Sequence, residues 1–316
     1  MPARIRYLAE ADVARVAPPP ATWIELGRRI LTSLAGGDVQ LPPKTTVRPR
    51  PDAFANAMPA YVPDAELLGV KWVDVHRGND RQGLPTVTGA ILLADASTGL
   101  LRGVLGAAWL TGARTAGVSG ACMAALAPTE PGHLAVTGAG VQARTHLQVA
   151  HALGHPEAAV WARRSEAGEE LVRWAAEHTP DLHVRLASSA AAAVEGAAIV
   201  VTAVAIGVDG LRLEPSAVRP DALLLPLDYA TSVGGDLAEG AVLTSDDPGQ
   251  FERFRADGSF PGYREADLAS GALLSGPRPA GRIVCQNLGN GAADLVFADA
   301  VLAAAERAGV GALLPR

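Results

Sequence analysis

The sequence predicts an α/β chain built on a doubly wound parallel sheet, and two observations carry that prediction. The first is residues 134–150, where a short apolar strand (134–137) runs into Gly138, Ala139 and Gly140. A segment with Val141, Leu147 and Ala150 at helical spacing follows. The second is the alternation after it. Apolar runs at 158–161, 182–186, 198–205 and 222–227 are separated by helical stretches at 166–177 and 188–196. Strands that are apolar on both sides belong in a parallel sheet covered by helices on both faces.

In that setting the glycine turn has a chemical reading. Gly138 permits a tight turn, Gly140 lets the backbone approach a pyrophosphate, and Ala143 supplies the third small position, where helix packs on sheet. The free N–H groups of the first helical turn, at Val141 and Gln142, would take the phosphates. The sheet is therefore expected to be Rossmann-type. An acid at the end of the second strand would accept hydrogen bonds from the ribose of NAD. This chain has V-W-A-R-R-S there, with Ala162 in the acid's place and Arg163, Arg164 and Ser165 suited to a 2′-phosphate. NADP is the expected cofactor, with NAD possible; an exposed basic pair is the alternative reading. Thr202 and Ala203, in the fourth apolar run, are expected on the cofactor side.

Composition narrows the class. Of 316 residues 49% are apolar and 19% charged, the balance of a globular enzyme. A net charge of −6 offers no basic footprint for nucleic acid. No apolar run reaches the ~18 residues of a membrane span, and the opening M-P-A-R-I-R lacks a signal-peptide core, so a cytoplasmic location is expected. Cys122 and Cys285 fit no metal spacing and read as buried free thiols; no metal is expected.

Taken in order, residues 5–15 read as a strand leading into a helix, and 21–34 as a helix closed by Gly36 and Gly37. Residues 42–51, with Lys44, Arg48 and Arg50, read as an extended basic piece or a solvated loop. Three runs rich in Val, Ile and Leu follow, divided by Gly, Asn and Pro turns, and predict an antiparallel or mixed sheet. Lys71 lies inside one of them, where a cation is costly unless paired or facing an anionic ligand. Arg114 opens a helix of small residues, where a cation opposes the dipole and a bound anion would explain it; a salt bridge is the other reading. At the C-terminus, a strand, a glycine turn and a helix over 292–308 close the chain, the helix carrying an apolar stripe.

The motifs G-V-K (69–71), L-P-T-V (84–87), A-R-T-A (113–116) and G-A-G-V-Q-A (138–143), and the acid Asp228 after a buried strand, come in one order. In this the chain resembles the ornithine cyclodeaminase/mu-crystallin family over nearly its whole length. The resemblance implies an α/β fold in which a Rossmann-type NAD(P) domain (118–291) is inserted in a second α+β substrate/dimerisation domain (1–117 plus 292–316). It implies hydride transfer at the α-carbon of an amino or imino acid, and a homodimer. It places Lys71 and Arg114 on the substrate carboxylate, with Lys44 where many members have a third cation. Asp228 would handle the proton at the substrate nitrogen, which makes Asp228 and Lys71 the candidate catalytic residues. Asn287, Leu288 and Gly289 would approach the nicotinamide.

Departures from the family pattern bear on the substrate. Asn56 stands where cyclodeaminases carry a Glu, and Ala162 where they favour an acid; both point away from ornithine cyclisation. After Asp228 the chain reads Y-A-T-S-V-G-G-D, and Asp236 in it reads as a turn residue. Two function classes follow. One is a reductase of an imine or ketimine carboxylate, with a cyclodeaminase as runner-up; the other is a ligand-holding protein of the mu-crystallin kind.

Overall fold

The computed structural model describes residues 4–208 and 210–315. It divides into two units, each with its own sheet.

The first unit gathers three stretches of chain: the described residues up to Thr22, then Gly36–Arg114, and the chain from Asn290 onward. Among the described residues its sheet has seven strands, in the order Ala312–Pro315, Arg4–Leu8, Leu101–Gly106, Val87–Asp95, Leu67–His76, Ala53–Val62, Thr45–Arg50. Arg4–Leu8 pairs in parallel with Leu101–Gly106 and every other pair is antiparallel, so the sheet is mixed. The helix Gly291–Ala308 lies against one face. A Cβ on Gly291 would sit 2.5 Å from the Met58 carbonyl oxygen, and one on Gly69 would sit 2.9 Å from Leu295 Cδ2. Hence Leu67, Lys71 and Val73, alternate residues of one strand, are buried, while Leu68 and Trp72 between them are exposed. The helix starts at Asn290, whose side chain accepts the Ala293 N–H at 2.8 Å, and stops at Gly309 with φ 65°.

Two features of this unit sharpen the expected picture. The basic piece at 42–51 contains the edge strand Thr45–Arg50, exposed throughout and kept from further pairing by Pro49 and its arginines. The last residues, Ala312–Pro315, pair antiparallel with Arg4–Leu8.

The second unit comprises Trp23–Ala35 and Thr115–Gly289. Its eight strands among the described residues run parallel, in the order Leu268–Ala269, Val242–Ser245, Ile283–Gln286, Leu223–Pro226, Ile199–Thr202, Leu134–Thr137, Glu157–Trp161, His183–Leu186. Leu134–Thr137, Ile199–Thr202, Leu223–Pro226 and Ile283–Gln286 are buried at every residue. From Leu134–Thr137 the chain winds outward to His183–Leu186, then returns to Ile199–Thr202 on the other side of that first strand. The strand order therefore reverses between Thr137 and Thr202, the position where open α/β sheets take ligands.

The expected boundaries shift slightly. Trp23–Ala35 groups with the parallel unit, because Gly27 and Gly271 bring backbones together. A Cβ on Gly27 would lie 2.2 Å from the Gly117 oxygen, and one on Gly271 would lie 1.8 Å from the Leu31 oxygen. The apolar run 198–205 is a strand only to Thr202. Residues 234–282, without clear periodicity, hold the short helices Gly235–Glu239 and Pro248–Ala256 and the strands Val242–Ser245 and Leu268–Ala269. Cys122 and Cys285 are buried and free. No helix among the described residues is long and apolar enough to cross a membrane.

Candidate cofactor and substrate sites

In the parallel unit the glycine turn has the geometry a dinucleotide needs. Gly138 has φ 116°, and a Cβ there would meet the Ala203 carbonyl oxygen at 2.4 Å. Only glycine lets the ends of these neighbouring strands approach so closely. Gly140 begins the helix Val141–Ala152 with no side-chain cap and no acid in the first turn, and a Cβ added there would meet nothing within 4 Å. The helix therefore offers uncapped N–H groups beside Ala139 and an exposed Val141, and Ala143 is buried as the third small position requires. Deeper in the helix, the Gln142 carbonyl accepts from Thr145 and contacts His146 Nδ1 at 2.7 Å.

At the end of the second strand, Trp161, Ala162, Arg163, Ser165, Leu186 and Ser188 line a cavity of about 380 Å³. Arg163 and Arg164 are exposed and form no ion pair among the described residues. Ser165 Oγ donates to Glu169 at 3.5 Å. These observations fit a dinucleotide: glycines that admit its backbone, an uncapped helix end for its pyrophosphate, and a polar hollow where the adenosine ribose would come.

Asp228 follows the strand Leu223–Pro226 and is fully buried. Thr202 Oγ1 donates to one carboxylate oxygen at 2.8 Å and Ser232 Oγ to the other at 2.7 Å; the Ser232 and Val204 N–H groups add to these. Burial nevertheless raises its pKa above the usual carboxylate range, the donors opposing. Tyr229, the next residue, is held at φ 59°, a strained conformation for a side chain of that size. Tyr229, Thr231, Ile206, Gly207 and Arg212 border a cavity of about 290 Å³. Asp236 is in the first turn of Gly235–Glu239, 3.6 Å from Arg212 Nη1.

The turn at 287–289 faces its own unit. Asn287 Nδ2 donates to the Thr115 carbonyl and to Ser119 Oγ, while the Leu288 and Gly289 N–H groups donate to the two oxygens of Asp246 at 3.0 and 2.9 Å. Gln250 Nε2 donates to the Gly289 carbonyl at 3.1 Å.

In the mixed-sheet unit, Lys71 and Arg114 converge on a residue the sequence did not single out. Lys71 Nζ lies 2.6 Å from Asp294 Oδ2, and Arg114 Nε lies 3.1 Å from Asp294 Oδ1. All three residues are buried. Burial pulls the Lys71 pKa down to about 8, Asp294 opposing and Arg114 adding to the effect. Among the described residues, Arg114 makes no protein hydrogen bond except through Nε. A buried guanidinium whose terminal nitrogens lack a protein acceptor is prepared for an anion. Asn56 is on the same sheet face as Lys71, since Lys71 pairs with Met58 two residues along that strand; its side chain accepts from Thr46 Oγ1 at 2.7 Å. Lys44 directly precedes the edge strand.

Comparison with known proteins identifies the family and the fold. The model of the ornithine cyclodeaminase/mu-crystallin family matches residues 24–217. The chain is 30% identical to the nodulation efficiency protein NfeD of Rhizobium meliloti, over 99% of both chains. The chain belongs to this family. Over 52% of each chain it is also 32% identical to ketimine reductase mu-crystallin of Mus musculus, so that match spans about half of the relative. Its fold is that of Δ1-pyrroline-2-carboxylate reductase of Thermococcus litoralis, a structure in complex with NADH and L-proline. The TM-score is 0.86 at 21% identity, over 98% of this chain and 99% of that one.

As a family member the chain carries two buried acids that sequence reasoning missed, Asp246 and Asp294. Asp246 follows V-L-T-S, a largely buried parallel strand, and the carboxyl ends of such strands border the ligand crevice of an open α/β sheet. Asp294 had a weaker signal: one acid in the otherwise apolar start of the helix G-A-A-D-L-V-F.

Proposed function

We propose that the chain is an NAD(P)H-dependent reductase that converts an imine or ketimine carboxylate into the amino acid. The observation that carries this reading is the buried Lys71–Arg114 pair, with the terminal nitrogens of Arg114 turned to no protein acceptor. Names of relatives support it: ketimine reductase, and a fold neighbour that reduces pyrroline-2-carboxylate.

In this reading the N–H groups at Gly140, Val141 and Gln142 hold the pyrophosphate, and Ala139 and Thr202 border the cofactor. Ala162, Arg163, Arg164 and Ser165 receive the adenosine ribose, with the arginines on a 2′-phosphate. Ala203 and the 287–289 turn shape the nicotinamide end. When bound, a reduced nicotinamide would supply the hydride that the imine carbon needs. Lys71 and Arg114, with Lys44 in support, fix the substrate by its carboxylate, and Asn56 borders it. Asp228, its pKa raised by burial, gives the nitrogen its proton through the Ser232 or Thr202 hydroxyl it orients. Hydride on carbon and proton on nitrogen complete the amine. A homodimer belongs to the same reading and is checked by light scattering.

The test is a screen of NADPH and NADH oxidation against five- and six-membered cyclic imino acids, α-keto acids with amines, and ornithine with NAD. Turnover of an imino acid, faster with NADPH, is expected. Replacing Arg163 and Arg164 with Ala should then weaken NADPH binding about 10-fold or more and leave NADH binding nearly unchanged, since charge-assisted hydrogen bonds are worth about 1.5–3 kcal/mol. Equal loss for both cofactors removes the NADP preference. Activity with ornithine and NAD alone makes the chain a cyclodeaminase, and tight dinucleotide binding without any turnover makes it a ligand-holding protein.

A further inference from the structure

Asp294 is a costly residue to bury, and the fold keeps it in place. It lies in the first turn of Gly291–Ala308, where the helix dipole favours an acid. A close backbone approach at Gly291 and the packing of the Leu295 side chain on Gly69 hold that helix against the strands Ala53–Val62 and Leu67–His76. Its two oxygens are divided between Lys71 and Arg114. The strands flanking Lys71 place Met58 and Ile91 beside it. The charged groups facing Lys71 are therefore Asp294 from the last helix and Arg114 from Ala108–Leu126. Two cations less one anion leave the cluster with one positive charge.

We propose that Asp294 is a positioning residue of the substrate site: as shared counter-ion of Lys71 and Arg114 it keeps Lys71 protonated and leaves the cluster the charge of a single carboxylate. This rests on the reading that the pair holds a substrate carboxylate. Without Asp294, a buried Lys71 beside Arg114 loses the attraction that retains its proton, and at mildly alkaline pH it becomes a neutral amine that no longer attracts the ligand. With Asp294 present, Lys71 stays charged through neutral pH, and an incoming carboxylate neutralises the cluster. A dicarboxylate would bring one negative charge too many to this cluster.

The experiment is a calorimetric titration of L-proline into the full chain saturated with NADH, from pH 6 to pH 8.5, for the parent, Asp294→Asn, and Asp294→Asn combined with Lys71→Arg. In the parent, affinity should change by less than about threefold up to pH 8, near the pKa of Lys71. In Asp294→Asn it should fall on the order of tenfold between pH 6 and pH 8, because the lysine now titrates within that range. The double variant should be flat again, since arginine stays charged. A lower melting temperature in Asp294→Asn with the parent's pH profile would reduce Asp294 to a structural acid and overturn the proposal. A crystal structure of the parent with L-proline gives a check independent of any variant's folding. The carboxylate should contact Lys71 and Arg114 while Asp294 keeps both; Asp294 parted from both cations overturns the proposal. A parent that binds no L-proline at any pH, and turns over no imino acid, fails the functional reading itself, which separates that failure from the failure of Asp294's role.

Discussion

In the proposed function the two units hold charged molecules in opposite ways. The parallel unit prepares its cofactor end with backbone: glycines without side chains, uncapped N–H groups, and buried strands whose ends stop in register. The mixed-sheet unit prepares its substrate end with side chains: two buried cations around one buried acid. Backbone dipoles are always charged the same way, whereas a buried Lys–Asp pair depends on protonation and on each partner's presence. The parallel unit should therefore fail through shape, and the mixed-sheet unit through charge.

Asp228→Asn tests the exception, a titrating side chain in the backbone-built unit. It keeps the shape and removes the acid, so kcat should fall by about 10²–10⁴ while cofactor and carboxylate binding persist, as general acid–base assistance is worth that much. Unchanged turnover in stopped-flow would show that water delivers the proton. Lys71→Met in the other unit retains the length of the side chain without its charge. KM for an imino acid should rise by about 10- to 100-fold, the worth of one charge-assisted hydrogen bond. NADPH affinity should stay as it is; if both move together, the charge and shape contrast does not hold.

Gly138→Ala is the matching test of shape. A methyl group 2.4 Å from the Ala203 oxygen, at φ 116°, must push two strand ends apart. Overpacking of this kind costs about 1–3 kcal/mol. Dinucleotide affinity and melting temperature should both drop, at every pH; a variant with parental affinity would mean that the turn does not approach the cofactor.

An effect confined to acid pH arises within the backbone-built unit. His146 is buried on the helix after the glycine turn, and burial pushes its pKa down to about 4. The unfolded chain binds that proton near the usual value of about 6.5, so stability is full above it and is lost as pH falls toward 4. At pH 5 the loss is about 2 kcal/mol. His146→Gln should flatten the fall in melting temperature between pH 7 and pH 5; parallel curves for parent and variant would assign the acid lability elsewhere.

What the sequence determined by itself is the parallel unit and its glycine turn. Leu134–Thr137, Ile199–Thr202 and Leu223–Pro226 are buried on both faces and so read as unbroken apolar runs, and the demand for glycine at 138 comes from neighbours close in the fold's winding order. Lys71 stood out in the sequence too, since a cation within an apolar strand breaks a local rule, whereas Arg114, read as opening a helix, lies six residues inside one that begins at Ala108. Only the tertiary structure decided what they meet. Asp294 is 180 residues from Arg114 along the chain, and nothing in G-A-A-D-L-V-F shows which strand that helix will cover. Likewise Asp246, the acid holding Leu288 and Gly289 more than forty positions away, becomes a partner only once Val242–Ser245 and Ile283–Gln286 pair. Periodicity reports burial, a property each strand carries alone. A counter-ion is a relation between distant segments, and only the folded chain supplies it.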